Sequence, residues 1–172
     1  MKMTKSILTL AITVVMSVAS TSCSNSQNKG TTGTSPDINM GREQTSTLLD
    51  GYLDIKDALV ETDGEAASRA AKQLLEQINN GQDGLTQKIR FDVGHIAETE
   101  NVEHQRDRFY TLSDNIYALI KAKGANEKKL YRQYCPMAFN NEGAYWLSAE
   151  KEVNNPYFGD KMLHCGSTKE EL

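Results

Sequence analysis

The chain has 172 residues, enough for one domain and a tail, and its 38% hydrophobic share is ordinary for a folded protein. The net charge is −4, and removal of a leader carrying Lys2 and Lys5 leaves 17 Lys and Arg against 23 Asp and Glu, or −6. An acidic surface of that size argues against nucleic acid as a partner, because phosphate binding needs a clustered positive face. After the N-terminus no run of eighteen apolar residues occurs, so no spanning helix is predicted.

Lys2 and Lys5 form a positive n-region, followed by thirteen largely apolar residues, Ile7 to Ala19, and the small residues Ser20, Thr21 and Ser22. This pattern reads as a secretory signal peptide over residues 1–22, too short to cross a bilayer. Cys23 directly after small residues looks like the lipobox of a bacterial lipoprotein, with Ser20 where a Leu is usual. Lipidation at Cys23 is expected, since an unpaired exposed thiol is a liability in an oxidising compartment. The alternative is ordinary cleavage that leaves a free Cys23. Acyl chains would anchor the protein to a membrane without spanning it, in the cell envelope and facing the periplasm. Residues 23–43 are then the lipidated cysteine and a flexible tether, too rich in Ser, Thr, Asn and Gly to bury a core.

Residues 44–124 carry helical periodicity. Leu48, Tyr52, Ile55 and Leu59 form one stripe, widened by Leu49 and Leu53. Thr62 with Glu65 reads as a capping box opening a second helix. That helix carries Ala66, Ala67, Ala70, Ala71, Leu74, Leu75 and Ile78, and its alanines let a neighbour approach closely. The run 79–84, NNGQDG, is a stop. Leu85, Ile89, Val93 and Ile96 mark a third helix, and Phe109, Leu112, Ile116, Leu119 and Ile120 a fourth. Four amphipathic helices with short connections predict an antiparallel four-helix bundle.

Residues 125–172 differ. They hold four of the seven tyrosines, the only tryptophan and the two remaining cysteines, with no helical stripe. LYRQYC and AYWLS read as short strands, NNEG and NNPYFGD as turns. Such aromatic density predicts an irregular, partly stranded segment packed on the bundle within the same domain.

Two knots of soft donors lie in this segment: Cys135 and Met137 in YCPMAF, and Met162, His164 and Cys165 in KMLHCG. Thiolate and thioether ligands select Cu(I) and similar ions. On an extended piece Cys135 and Met137 share a face, and on a helical turn Met162 and Cys165 do. If that second piece is extended, His164 aligns with Met162 instead. The spacing is not that of zinc sites, which pair C-x-x-C motifs. The competing reading is a Cys135–Cys165 disulfide, since two cysteines in an oxidising compartment usually pair. It would close a loop of about thirty residues and contribute about 3–4 kcal/mol. The two states could also alternate.

The run YCPMAFNNEGAYWLS, continued by KEVNNPYFGDKMLHCG, resembles the signature of a bacterial domain family of undetermined function. That family occurs in lipoproteins and fused to the C-terminus of periplasmic adaptor proteins of copper and silver efflux pumps. The resemblance extends over about residues 46–172, through YLDIKDALVETDG and HQRDRFYTLSDNIYALI. His164 stands where the family carries Thr or Lys. Cys-Pro-Met is also similar to the motif of short heavy-metal-binding modules on copper exporters. The donor chemistry makes Cys135, Met137, Met162, Cys165 and His164 a candidate site of up to five ligands, and the resemblance implies a copper or silver ion as its cargo and an efflux adaptor as partner.

Other residues point less sharply. His95 and His104, near Glu98, Glu100 and Glu103, read as surface or capping residues. Arg106 and Arg108 read as a solvated face or a clasp onto the C-terminal segment, and Tyr145 and Trp146 as packing. There is no phosphate loop, nucleophile elbow or Ser/His/Asp set, so no enzyme is expected.

Overall fold

The computed structural model describes residues 41–78, 83–124 and 128–172. The expected signal peptide, Cys23 and the tether up to residue 40 lie outside the described residues.

Four long helices come first: α1 (Arg42–Val60), α2 (Gly64–Gln77), α3 (Gly84–Ala97) and α4 (Val102–Lys123). A three-stranded antiparallel sheet follows: β1 (Tyr131–Cys135), β2 (Ala144–Ser148) and β3 (Ser167–Glu171), in the order β2-β1-β3. The chain is thus mainly helical with a stranded C-terminal segment. The two runs read as strands are β1 and β2. β3 was not foreseen, because STKEE carries little apolar patterning and alternates only between exposed and half-buried positions.

The predicted stripes face inward. Leu48, Leu49, Tyr52, Ile55, Leu59, Ile89, Val93, Ile96, Phe109, Leu112 and Ile116 are all essentially inaccessible. α1 packs on α2, α2 on α3, α3 on α4, and α4 also reaches α1.

Polar caps open three of the helices. The side chains of Asp63, Asp83 and Asn101 accept from the backbone N–H of Ala66, Thr86 and His104, satisfying donors that no earlier turn can reach. The expected Thr62–Glu65 capping box does not form. Thr62 instead turns the chain through a left-handed conformation, φ 58°, and its hydroxyl accepts from Arg106, so the cap falls to Asp63. Helix α1 also begins at Arg42, slightly before the expected end of the tether. Gly64 is needed for space: a Cβ there would stand 2.1 Å from the Glu100 carbonyl oxygen.

The sheet is fastened to the helices through an aromatic layer. Tyr52 of α1 stacks on Phe109 of α4 at 5.0 Å, and Tyr157 contacts Phe109, Phe139 and Trp146. Two phenols in this layer serve the backbone of β2. Leu147 N–H donates to Tyr52 Oη at 3.0 Å, and that oxygen lies 2.9 Å from Ser113 Oγ. Tyr157 Oη donates to the Tyr145 carbonyl at 2.6 Å. Burial pushes both phenols well above the usual tyrosine range, so they stay neutral.

Arg106 supplies a second fastening. Its guanidinium donates to the Pro156 carbonyl (2.8 Å), the Leu59 carbonyl (3.0 Å) and Thr62 Oγ1 (3.1 Å). It is therefore the clasp onto the C-terminal segment. Arg108 instead lies over the exposed ring of Phe91, 5.7 Å from its centroid.

Tyr52→Phe leaves Leu147 N–H buried without its acceptor while keeping the ring stack. The expected loss is about 1–3 kcal/mol, the usual cost of an orphaned buried donor, read from the urea midpoint with unchanged slope.

Candidate functional site

Cys135 closes β1 and is wholly buried, opposite Ala144 of β2. Cys165 is half-buried on the turn that leads into β3. The pairing of β1 with β3 places Tyr134 opposite Ser167, so continuing that register carries Cys135 and Cys165 towards each other. Their Sγ atoms lie 2.9 Å apart, from positions 30 residues apart in the chain.

Local contacts hold Cys165 in place. The Asn155 side chain donates to the Cys165 carbonyl at 2.8 Å and accepts from Tyr157 N–H at 2.9 Å. Cys165 N–H closes a turn onto the Met162 carbonyl at 3.0 Å. Gly166 follows with φ +146°, and a Cβ there would meet the Tyr134 carbonyl oxygen at 2.9 Å. Gln133, fully buried on β1, donates to the carbonyls of Glu150, Lys151 and Glu152 and so shapes the loop leading to Asn155.

The remaining soft donors flank the pair on two turns. Met137 is 48% exposed, one of two large apolar side chains so exposed among the described residues. It precedes a short helical turn, Ala138–Asn141, followed by Glu142 and Gly143. In this stretch Phe139, Asn140 and Asn141 all have positive φ, of 50°, 57° and 71°. Three consecutive residues in that region are uncommon and need surrounding structure to hold them. Met137 and Lys161 line the same cleft of about 460 Å³, which brings the Met137 turn alongside the residue preceding Met162. Met162 itself is half-buried. His164 points to solvent and its Nδ1 pairs with the Val153 carbonyl at 2.9 Å, leaving Nε2 for any ligand. Among the described residues no group of three or more His, Cys, Asp and Glu side chains converges. Any ion at the thiol pair would need thioether, imidazole or solvent to complete its shell.

The thiols interact strongly. The hydrogen bond to the Cys135 sulfur, then burial, then the Cys135 charge push the Cys165 thiol up from 9.0 to about 11. His95 and His104 lie elsewhere, on α3 and α4, with ring centroids 6.2 Å apart and His95 Nδ1 3.8 Å from Glu98.

Residues 48–128 match the family model described as "Protein of unknown function (DUF3347)". Over these residues the chain is similar to this family. The DUF3347 match runs from within α1 through α4 and ends before β1, so the cysteine-bearing sheet lies beyond it. The expected family segment, about residues 46–172, is therefore matched over its helical part. No curated protein and no solved structure matches the chain.

Three residues that organise this site were not singled out from sequence. Asn155 and Tyr157 lie within a run that reads as a turn, Tyr157 being one of the aromatics expected to pack, and Gln133 lies within a run that reads as a strand.

Two measurements check the geometry. Oxidation of the reduced protein should form a Cys135–Cys165 disulfide and stabilise it by about 3 kcal/mol, read as a urea-midpoint difference with and without reductant. The pH dependence has a definite sign. A raised folded-state value for Cys165 stabilises the reduced protein below pH 9.0, and that contribution is lost as pH rises towards about 11. The reduced wild type should lose stability across that interval relative to Cys165→Ser.

Proposed function

We propose that the chain is a lipid-anchored cell-envelope protein whose dithiol takes Cu(I) or Ag(I) as an accessory to heavy-metal efflux. The observation that carries this reading is the meeting of Cys135 and Cys165 at 2.9 Å, with methionine-bearing turns on both strand ends. Two thiolates offer a monovalent soft ion the anionic donors it prefers, and Met137 and Met162 are the thioethers available to complete a trigonal shell. His164 is the reserve donor through Nε2. The partner on this reading is an efflux adaptor protein, and the anchor is Cys23. The helices serve as an antiparallel four-helix bundle that carries the sheet, which their short connections and sequential packing support. No catalytic step is assigned.

A second reading is favoured by the same distance. Metal–thiolate bonds of about 2.3 Å put two thiolates on one ion at least about 3.7 Å apart, so the sulfurs must separate to admit it. At 2.9 Å the pair stands about midway, about 0.9 Å from a disulfide and about 0.8 Å from that ion-bridged spacing, so a bridge is as accessible as an ion. On that reading the protein is a stapled helical module that docks on a partner without metal.

Anaerobic loading of the reduced protein with Cu(I) or Ag(I), followed by metal analysis, separates the two. The first reading expects about one ion per chain, abolished by Cys135→Ser and weakened about tenfold or more by Met137→Leu. The second expects no retained ion, with Cys135→Ser lowering only the stability of the oxidised form.

A further inference from the structure

Resting on the metal reading, we infer that the Cys135–Cys165 pair is a redox gate worked through Cys165 alone. A small-molecule disulfide closes it, and the closed pair no longer holds the ion. The two sulfurs differ in access. Cys135 is wholly buried between β2 and β3, whereas Cys165 is partly exposed on its turn. An outside reagent therefore meets Cys165 first.

The chemistry balances in two exchanges. Cys165 gives its proton to solvent, a step its raised thiol pKa slows without redirecting the exchange to the sealed Cys135, and its thiolate attacks one sulfur of the incoming disulfide, forming a mixed disulfide and releasing one thiolate of the reagent. Cys135 thiolate then attacks Cys165 Sγ, forming the internal disulfide and releasing the second. The protein loses two electrons and two protons, and the reagent disulfide is reduced to two thiols. The second step needs the sulfurs to close by only about 0.9 Å from 2.9 Å.

Closure removes both anionic donors at once. Among the described residues no further Cys, Asp, Glu or His set joins the pair, so only the neutral donors Met137, Met162 and His164 would remain. The oxidised and metal-bound states are then mutually exclusive, and opening requires a reductant thiol to attack Cys165.

The test uses the full chain in a Cys23→Ser background, reduced and then treated anaerobically with glutathione disulfide, with products read by mass spectrometry. Wild type should give the internal disulfide without a lasting adduct. Cys135→Ser, and Cys135→Ala as a second variant, should each hold a stable glutathione adduct on Cys165. Cys165→Ser should form its adduct on Cys135 at least about tenfold more slowly, until denaturant is added. Circular dichroism confirms that each variant is folded. Equal adduct rates for the Cys135→Ser and Cys165→Ser chains would overturn the proposal. So would retention of Ag(I) by the oxidised wild type equal to that of the reduced form. If the reduced protein holds no Ag(I) while the order of thiol reaction stands, the metal reading fails and the gate with it. Only Cys165-first exchange would then survive.

Discussion

Everything at the C-terminal end depends on how the outer edge of β2 is closed. A strand edge turned towards packed helices carries N–H and C=O groups that water cannot reach, and each costs free energy unless it is paired. Here the partners are phenols: Tyr52 accepts from Leu147 N–H, and Tyr157 donates to the Tyr145 carbonyl. One phenol comes from α1 and the other from the turn-rich segment after β2, so the same atoms join helices, sheet and loop. With that edge closed, β1 occupies the centre of the sheet and presents its last residue, Cys135, at a defined place.

The dithiol follows from that arrangement. β3 can pair only with the free side of β1, and its register carries Cys165 to Cys135. Asn155 and the positive-φ Gly166 then orient the approach. Arg106 secures the loop from below through three oxygen acceptors. Its burial lowers the guanidinium pKa, with Glu103 opposing the shift, yet leaves it a cation bonded to backbone and hydroxyl oxygens. A buried guanidinium with no bonded carboxylate among the described residues is costly, and the three oxygen acceptors offset that cost.

The site also sits beside stored strain. Three left-handed residues in succession separate Met137 from β2, and their cost is met by Phe139 packing on Tyr110 and Tyr157. The outcome is an exposed thioether two residues from a buried thiol, a soft donor at the surface next to one kept from solvent.

Much of the helical framework could be read directly from the chain. The spacing of Leu48, Tyr52, Ile55 and Leu59, and of Phe109, Leu112 and Ile116, forces one face of each helix inward whatever lies opposite, because period and hydrophobicity are local properties. The strands β1 and β2 were legible for the same reason, through their aromatic density. Hydrogen-bond partners far apart in sequence were not legible. Nothing near Tyr52 indicates that its hydroxyl serves Leu147, or near Arg106 that it bonds Pro156. Asp63 displaced Thr62 as the cap because Arg106, more than forty residues away, engages the Thr62 hydroxyl. The sequence alone determined which sulfurs are present and that they lie on two short segments. Only the tertiary structure decided that they meet, because convergence depends on a strand register set by long-range backbone pairing, which no local pattern encodes.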